Sequence, residues 1–133
     1  MQDITSRTHI AHIVDTFYKQ ATQDETIGYL FEDLDLQQHL PTIHDFWENI
    51  LFRTGAYKGG LMYKHFTLNA RTPLKAEHFT RWLELFTQTI DGSFVGENAE
   101  IMKRYAHSIA QTMQERILQV ELPMAFRDAP KDG

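Results

Sequence analysis

The sequence predicts an all-α fold, on three observations. Apolar residues recur at helical spacing over several long stretches, and no stretch of useful length alternates apolar with polar residues. Proline, glycine and short polar side chains punctuate the periodic runs where helices would begin and stop. With 133 residues the chain is most simply one domain, large enough to enclose a single core. That domain is expected over residues 1–122, followed by a frayed tail over 123–133 that has scattered apolar residues and no sustained period.

The first helix is expected from about Thr8 to Thr22, where Ile10, Ile13, Val14, Phe17, Tyr18 and Ala21 make one apolar stripe. A turn over Asp24 to Gly28 follows, then the short apolar cluster Tyr29-Leu30-Phe31. Asp33 to Leu40 is less regular. A second helix fits Pro41 to Phe52, with Pro41 in the first turn, Ile43, Phe46, Trp47, Ile50 and Leu51 on one side, and His39 at its entrance. Gly55, Gly59 and Gly60 mark a flexible connection into a short helix from Leu61 to Phe66. Thr72-Pro73 is the clearest start signal, opening a helix to Ile90 that turns Phe79, Trp82, Leu83, Phe86 and Ile90 inward and ends at Gly92. Asn98 can cap a last helix reaching roughly Leu122, with Ile101, Met102, Tyr105, Ile109, Met113 and Ile117 as core positions and Pro123 as its stop.

Composition narrows the function. Thirteen Lys plus Arg against eighteen Asp plus Glu give a net charge of −5, which lends no support to nucleic-acid binding. The chain contains no cysteine, so disulfides, thiolate metal sites and a cysteine nucleophile are excluded. No apolar run reaches the roughly 18 residues a membrane span needs and no amino-terminal signal pattern is present, so a cytoplasmic protein is expected. GxSxG, GxGxxG and Walker patterns are missing, which weakens hydrolase and nucleotide-dependent readings. Among the histidines, His39 and His44 share a helical face poorly, and His9 with His12 lacks an HExxH or acidic partner pattern.

His65 stands out in Gly59-Gly60-Leu61-Met62-Tyr63-Lys64-His65-Phe66. A neutral imidazole is a good axial ligand to iron, and Met62, three residues earlier, can pack against an apolar cofactor on the same face. The bland alternative is that His65 is an ordinary surface or helix-end histidine and Met62 plain core. Tyr18 lies at the apolar edge of its helix, where a phenol pairs with backbone or points a donor at a ligand. Trp82 and Trp47 both fit core packing, and Trp82 also offers an indole donor. His39 can donate to a ligand, coordinate a metal, or sit in solvent.

The order of Phe17-Tyr18-Lys19, Gly28-Tyr29-Leu30-Phe31, His39 before Phe46-Trp47, the Tyr57 to His65 stretch and His78-Phe79-Thr80-Arg81-Trp82-Leu83-Glu84-Leu85-Phe86 resembles the group III truncated hemoglobins. The resemblance spans approximately Ile10 to Gln119. It implies a globin-like, truncated two-over-two helical sandwich holding heme b (iron protoporphyrin IX). On it, His65 is the proximal iron ligand, Tyr18 and Trp82 are distal donors, Phe31 packs on the porphyrin and His39 is the distal gate.

The function implied is binding of oxygen or another diatomic gas, NO or CO, at heme iron, by a monomer or weak homo-oligomer. Peroxidase-like or nitric-oxide-oxidising chemistry is the enzymatic alternative, with electrons from a separate reductase. A cofactor-free helical interaction module, in which Tyr18 and Trp82 are core residues, belongs to a different class. Neither nucleic acid nor membrane is an expected partner.

Overall fold

The computed structural model describes residues 1–32, 34–55 and 74–118, with side chains described as far as 115. His65, Met62, the short helix expected over Leu61 to Phe66, the Thr72-Pro73 start signal, Ile117 as a core side chain and the tail over 123–133 lie outside those described residues. Four α-helices and one 3-10 turn make up the described fold: α1 (Arg7–Ala21), the 3-10 turn (Gly28–Phe31), α2 (Leu36–Phe52), α3 (Ala76–Asp91) and α4 (Glu97–Leu118). α1 packs on both α2 and α3, α3 lies along α4, and α2 also touches α4. This is the predicted two-over-two sandwich, and its apolar seams form one core.

α1 forms because Ser6 caps it, its Oγ accepting from the His9 N–H at 3.3 Å, and because Ile10, Ile13, Val14, Phe17 and Ala21 share one buried face. At its far end the Thr22 hydroxyl donates to the Tyr18 carbonyl at 2.8 Å. The chain then reverses around Asp24, and Gly28 comes so close to that corner that a Cβ there would lie 2.8 Å from the Thr22 carbonyl oxygen.

Two helix starts differ from expectation. α2 opens at Leu36, where Asp35 is the cap, accepting from the Gln38 N–H at 3.4 Å. Pro41 therefore lies inside the helix, where it leaves the Gln37 carbonyl without its usual donor. His39 is accordingly in the helix body and buried, 5% exposed, instead of at the entrance. α3 begins at Ala76, with Lys75 extended before it. The Lys75 N–H donates to His78 Nδ1 at 2.9 Å and the His78 N–H to the Lys75 carbonyl at 3.0 Å, a reciprocal cap that ends the extended segment there.

α4 is capped from across the molecule. The Asp3 carboxylate accepts the Asn98 N–H at 2.9 Å and the Ala99 N–H at 2.9 Å, while the Asn98 side chain donates to the Ile4 carbonyl at 2.7 Å. Asn98 is thus in the first turn and Asp3 does the capping. Gly96 permits this approach: its φ is +144°, and a Cβ would fall 2.5 Å from the Asp3 carboxyl carbon. α4 buries Ala99, Met102, Ala106, Ala110 and Met113. Tyr105, expected in the core, is 48% exposed, because the face turned to α3 is the one lined with alanines, which let two helices approach closely.

Burial opposes ionisation of Asp3, but hydrogen bonds from Asn98, Ile4, Ala99 and Glu97 outweigh it and hold its pKa below 3.8. Its contribution is therefore present above pH 3.8 and is lost as pH falls through the lowered folded-state value. Asp3→Ala should cost about 1–2 kcal/mol in urea unfolding at neutral pH. The gap to the natural chain should close in acid; a gap constant with pH would refute the capping role.

Candidate functional site

An aromatic cluster joins the two helix pairs. Trp82 and Phe86, one turn apart on α3, are stacked at 5.3 Å and 5°. Trp47 of α2 covers the other side of Phe86 at 5.4 Å and 23°. Phe17 of α1 meets Phe86, Trp82 and Tyr18 edge-on at 5.3, 5.9 and 5.0 Å. Tyr18 in turn meets Phe31 edge-on at 5.5 Å and the His39 ring at 6.4 Å.

On one flank of this cluster lies a half-open cavity of about 60 Å³, well above the roughly 10–15 Å³ that one water requires. Tyr18 from α1, Ile27, Leu30 and Phe31 around the 3-10 turn, Leu74, Phe79 and Trp82 from α3, and Met113 from α4 line it. Hydrocarbon and aromatic surface dominates. Tyr18 and Trp82 are the lining residues that also carry a polar side-chain group. Among the described residues the Tyr18 hydroxyl has no hydrogen-bond partner, and burial alone pushes its pKa well above the ordinary phenol value. Tyr18 is therefore a neutral phenol on the lining of a largely apolar space.

Of the six residues singled out in the sequence, the structure brings Tyr18, Phe31 and Trp82 together on one cavity. His39 is buried against Tyr18 without lining that cavity. No group of three or more histidine or acidic side chains suited to a metal occurs among the described residues. His44 is paired with Asp15 at 3.0 Å, and His9 is engaged by Gln2 and by the Thr5 N–H.

Sequence reasoning passed over the residues that hold the cavity's walls in place. Asp24 Oδ1 accepts from Arg81 Nε at 2.9 Å and Nη2 at 2.8 Å, while Oδ2 takes the Thr26 and Ile27 N–H groups at 3.0 and 3.2 Å. The Arg81 guanidinium, aided by those backbone donors, keeps the Asp24 pKa below its ordinary value. A second tie joins Tyr29 and His78, whose hydroxyl and Nε2 are 2.9 Å apart. Each tie fastens the connection after α1 to α3, so Ile27, Leu30 and Phe31 keep their distance from Phe79 and Trp82. The partners are separated by 57 and 49 positions, and no local pattern links them.

Because the Tyr18 hydroxyl has no described protein partner, Tyr18→Phe should change stability by less than about 1 kcal/mol in urea unfolding. A larger loss of stability would mean that protein groups hold the hydroxyl.

No family model matches the chain. Over 114 residues it is 27% identical to the group 3 truncated hemoglobin ctb of Campylobacter jejuni, an alignment covering 81% of this chain and 87% of the relative. The crystal structure of a group III truncated hemoglobin from Campylobacter jejuni superposes with a TM-score of 0.76 at 26% identity. That match covers 88% of this chain and 95% of the other. Sequence and fold thus agree with the resemblance drawn from the motifs. No helix among the described residues is long and apolar enough to cross a membrane.

Proposed function

We propose that this chain, a group III truncated hemoglobin by sequence and by fold, binds heme b through His65 and holds a diatomic gas in the cavity beside Tyr18. The observation that carries this reading is Tyr18: a partly buried, neutral phenol on the lining of a cavity otherwise walled by hydrocarbon and aromatic rings. Its hydroxyl is a donor for which a ligand atom in that cavity would be an acceptor.

The remaining lining is apolar. Phe31, Leu30, Leu74, Phe79 and Met113 offer the apolar contact that a flat macrocycle needs. Heme, when bound, supplies an iron centre that takes up a diatomic gas reversibly and shifts electron density onto it. Tyr18 then donates to the polarised ligand, and Trp82 offers a second N–H from the same lining. In a dry cavity such hydrogen bonds are stronger than in water. Two donors favour slow release, which suits sensing, scavenging or redox chemistry over bulk delivery.

A second reading is peroxidase-like or nitric-oxide-oxidising turnover, with electrons from a separate reductase. His39 favours it, since a buried imidazole against Tyr18 can hold or pass a proton near the ligand. Rapid turnover with a reductant distinguishes the two readings.

The test is the absorption spectrum of heme-reconstituted protein, ferric, ferrous and CO-bound, beside His65→Gly. A Soret band that shifts with CO, with axial ligation altered in the variant, is expected; folded protein that takes up no heme would refute the reading. Tyr18→Phe should raise the oxygen off-rate roughly tenfold or more, the worth of a hydrogen bond to a charged acceptor.

A further inference from the structure

Two hydrogen bonds of defined polarity meet on the buried His78 ring. Nδ1 accepts the Lys75 backbone N–H at 2.9 Å, so that nitrogen carries a lone pair. The single proton of the neutral ring is then on Nε2, which donates to the Tyr29 hydroxyl oxygen at 2.9 Å. The rings also meet edge-on at 5.8 Å. Around these three residues stand half of the cavity's lining positions: Leu30 and Phe31 follow Tyr29, Leu74 precedes Lys75, and Phe79 follows His78.

We propose that Tyr29, His78 and the Lys75 N–H form a clasp that positions two walls of the cavity against each other, and that its Lys75 side opens when His78 takes up a proton, while Nε2–H keeps its bond to Tyr29. The inference rests on the ligand-site reading above. Protonation at Nδ1 removes the lone pair and sets two donors, Nδ1–H and the Lys75 N–H, face to face. The reciprocal cap of α3 cannot survive that contact, so the Leu74–Lys75 backbone must shift, and Leu74 moves with it. Tyr29 is half-exposed at the protein surface, so the seam it closes has solvent on its outer side.

The charges facing the ring agree with a neutral resting state. Burial is the main influence lowering the His78 pKa, Lys75 lowers it further, and Glu77 alone opposes them. Tyr29, from the 3-10 turn, presents a hydroxyl and no charge. With the folded-state pKa below 6.5, both bonds to the ring are made at neutral pH, and the one from the Lys75 N–H is lost as pH falls through that lowered value.

The experiment uses the full-length heme-loaded chain, with CO as probe, comparing the natural protein with Tyr29→Phe and His78→Gln. Glutamine at this third helical position can still accept the Lys75 N–H but cannot titrate. CO association after photolysis should speed up roughly three- to tenfold as the pH drops below 6.5 in the natural chain, in line with loss of one hydrogen bond. His78→Gln should abolish that step, and Tyr29→Phe should already be fast at neutral pH. A step that persists in His78→Gln, a flat profile in the natural chain, or an unchanged Tyr29→Phe rate would overturn the clasp. Nitrogen NMR of the histidine rings gives an independent reading: His78 should carry its proton on Nε2 at neutral pH, and a proton on Nδ1 overturns the proposal. Should the chain take up no heme, the ligand-site reading fails while the NMR result still judges the clasp.

Discussion

Phe86 is the residue around which the molecule is assembled. It lies between two indoles, Trp82 from its own helix and Trp47 from α2, and receives the edge of Phe17 from α1. Three helices are therefore registered against one ring. Aromatic pairs of this geometry each contribute roughly 0.5–1.5 kcal/mol beyond the area they bury, and they tolerate little sliding. Because Trp82 belongs both to this stack and to the cavity lining, the rigidity of the core passes directly to the wall that would face a ligand.

The cavity persists because its lining residues are tied from outside. Asp24 and Arg81 secure one stretch of the connection after α1, and Tyr29 with His78 secures the next. Without them, the apolar side chains around the space would gain dispersion contacts by collapsing into it. Polar groups at the rim thus preserve a largely apolar interior.

Much of this was legible in the sequence, and the losses have physical causes. α1 could be read almost to the residue because its stripe and termini are local features. Tyr18, Phe31 and Trp82 could be named because the motif order carries them, although only folding shows that they share a space. The start of α2 was hidden by Pro41, whose tolerance for a first turn outweighed the Asp35 cap upstream. Tyr105 is expected inward as one of the apolar positions of the last helix, while the buried face of α4 is built from Ala99, Met102, Ala106, Ala110 and Met113. Asp3, Asp24 and His78 act across long stretches of chain or through reversed roles, and one-dimensional spacing holds no trace of such bonds.

The capping of α4 by Asp3 has a consequence for the way the chain is made. The amide groups of Asn98 and Ala99 leave the ribosome long after the carboxylate that will receive them. Until then the Asp3 carboxylate, and the Gln2 carbonyl that takes the Val95 N–H, lack these partners, although the segment already meets His9 of α1. These long-range bonds must wait while α1, α2 and α3 are synthesised, and the loop they finally close spans 95 positions. Docking of the opening segment is a late event by construction, one that registers the arrival of α4 and joins the two ends of the described fold in a single step.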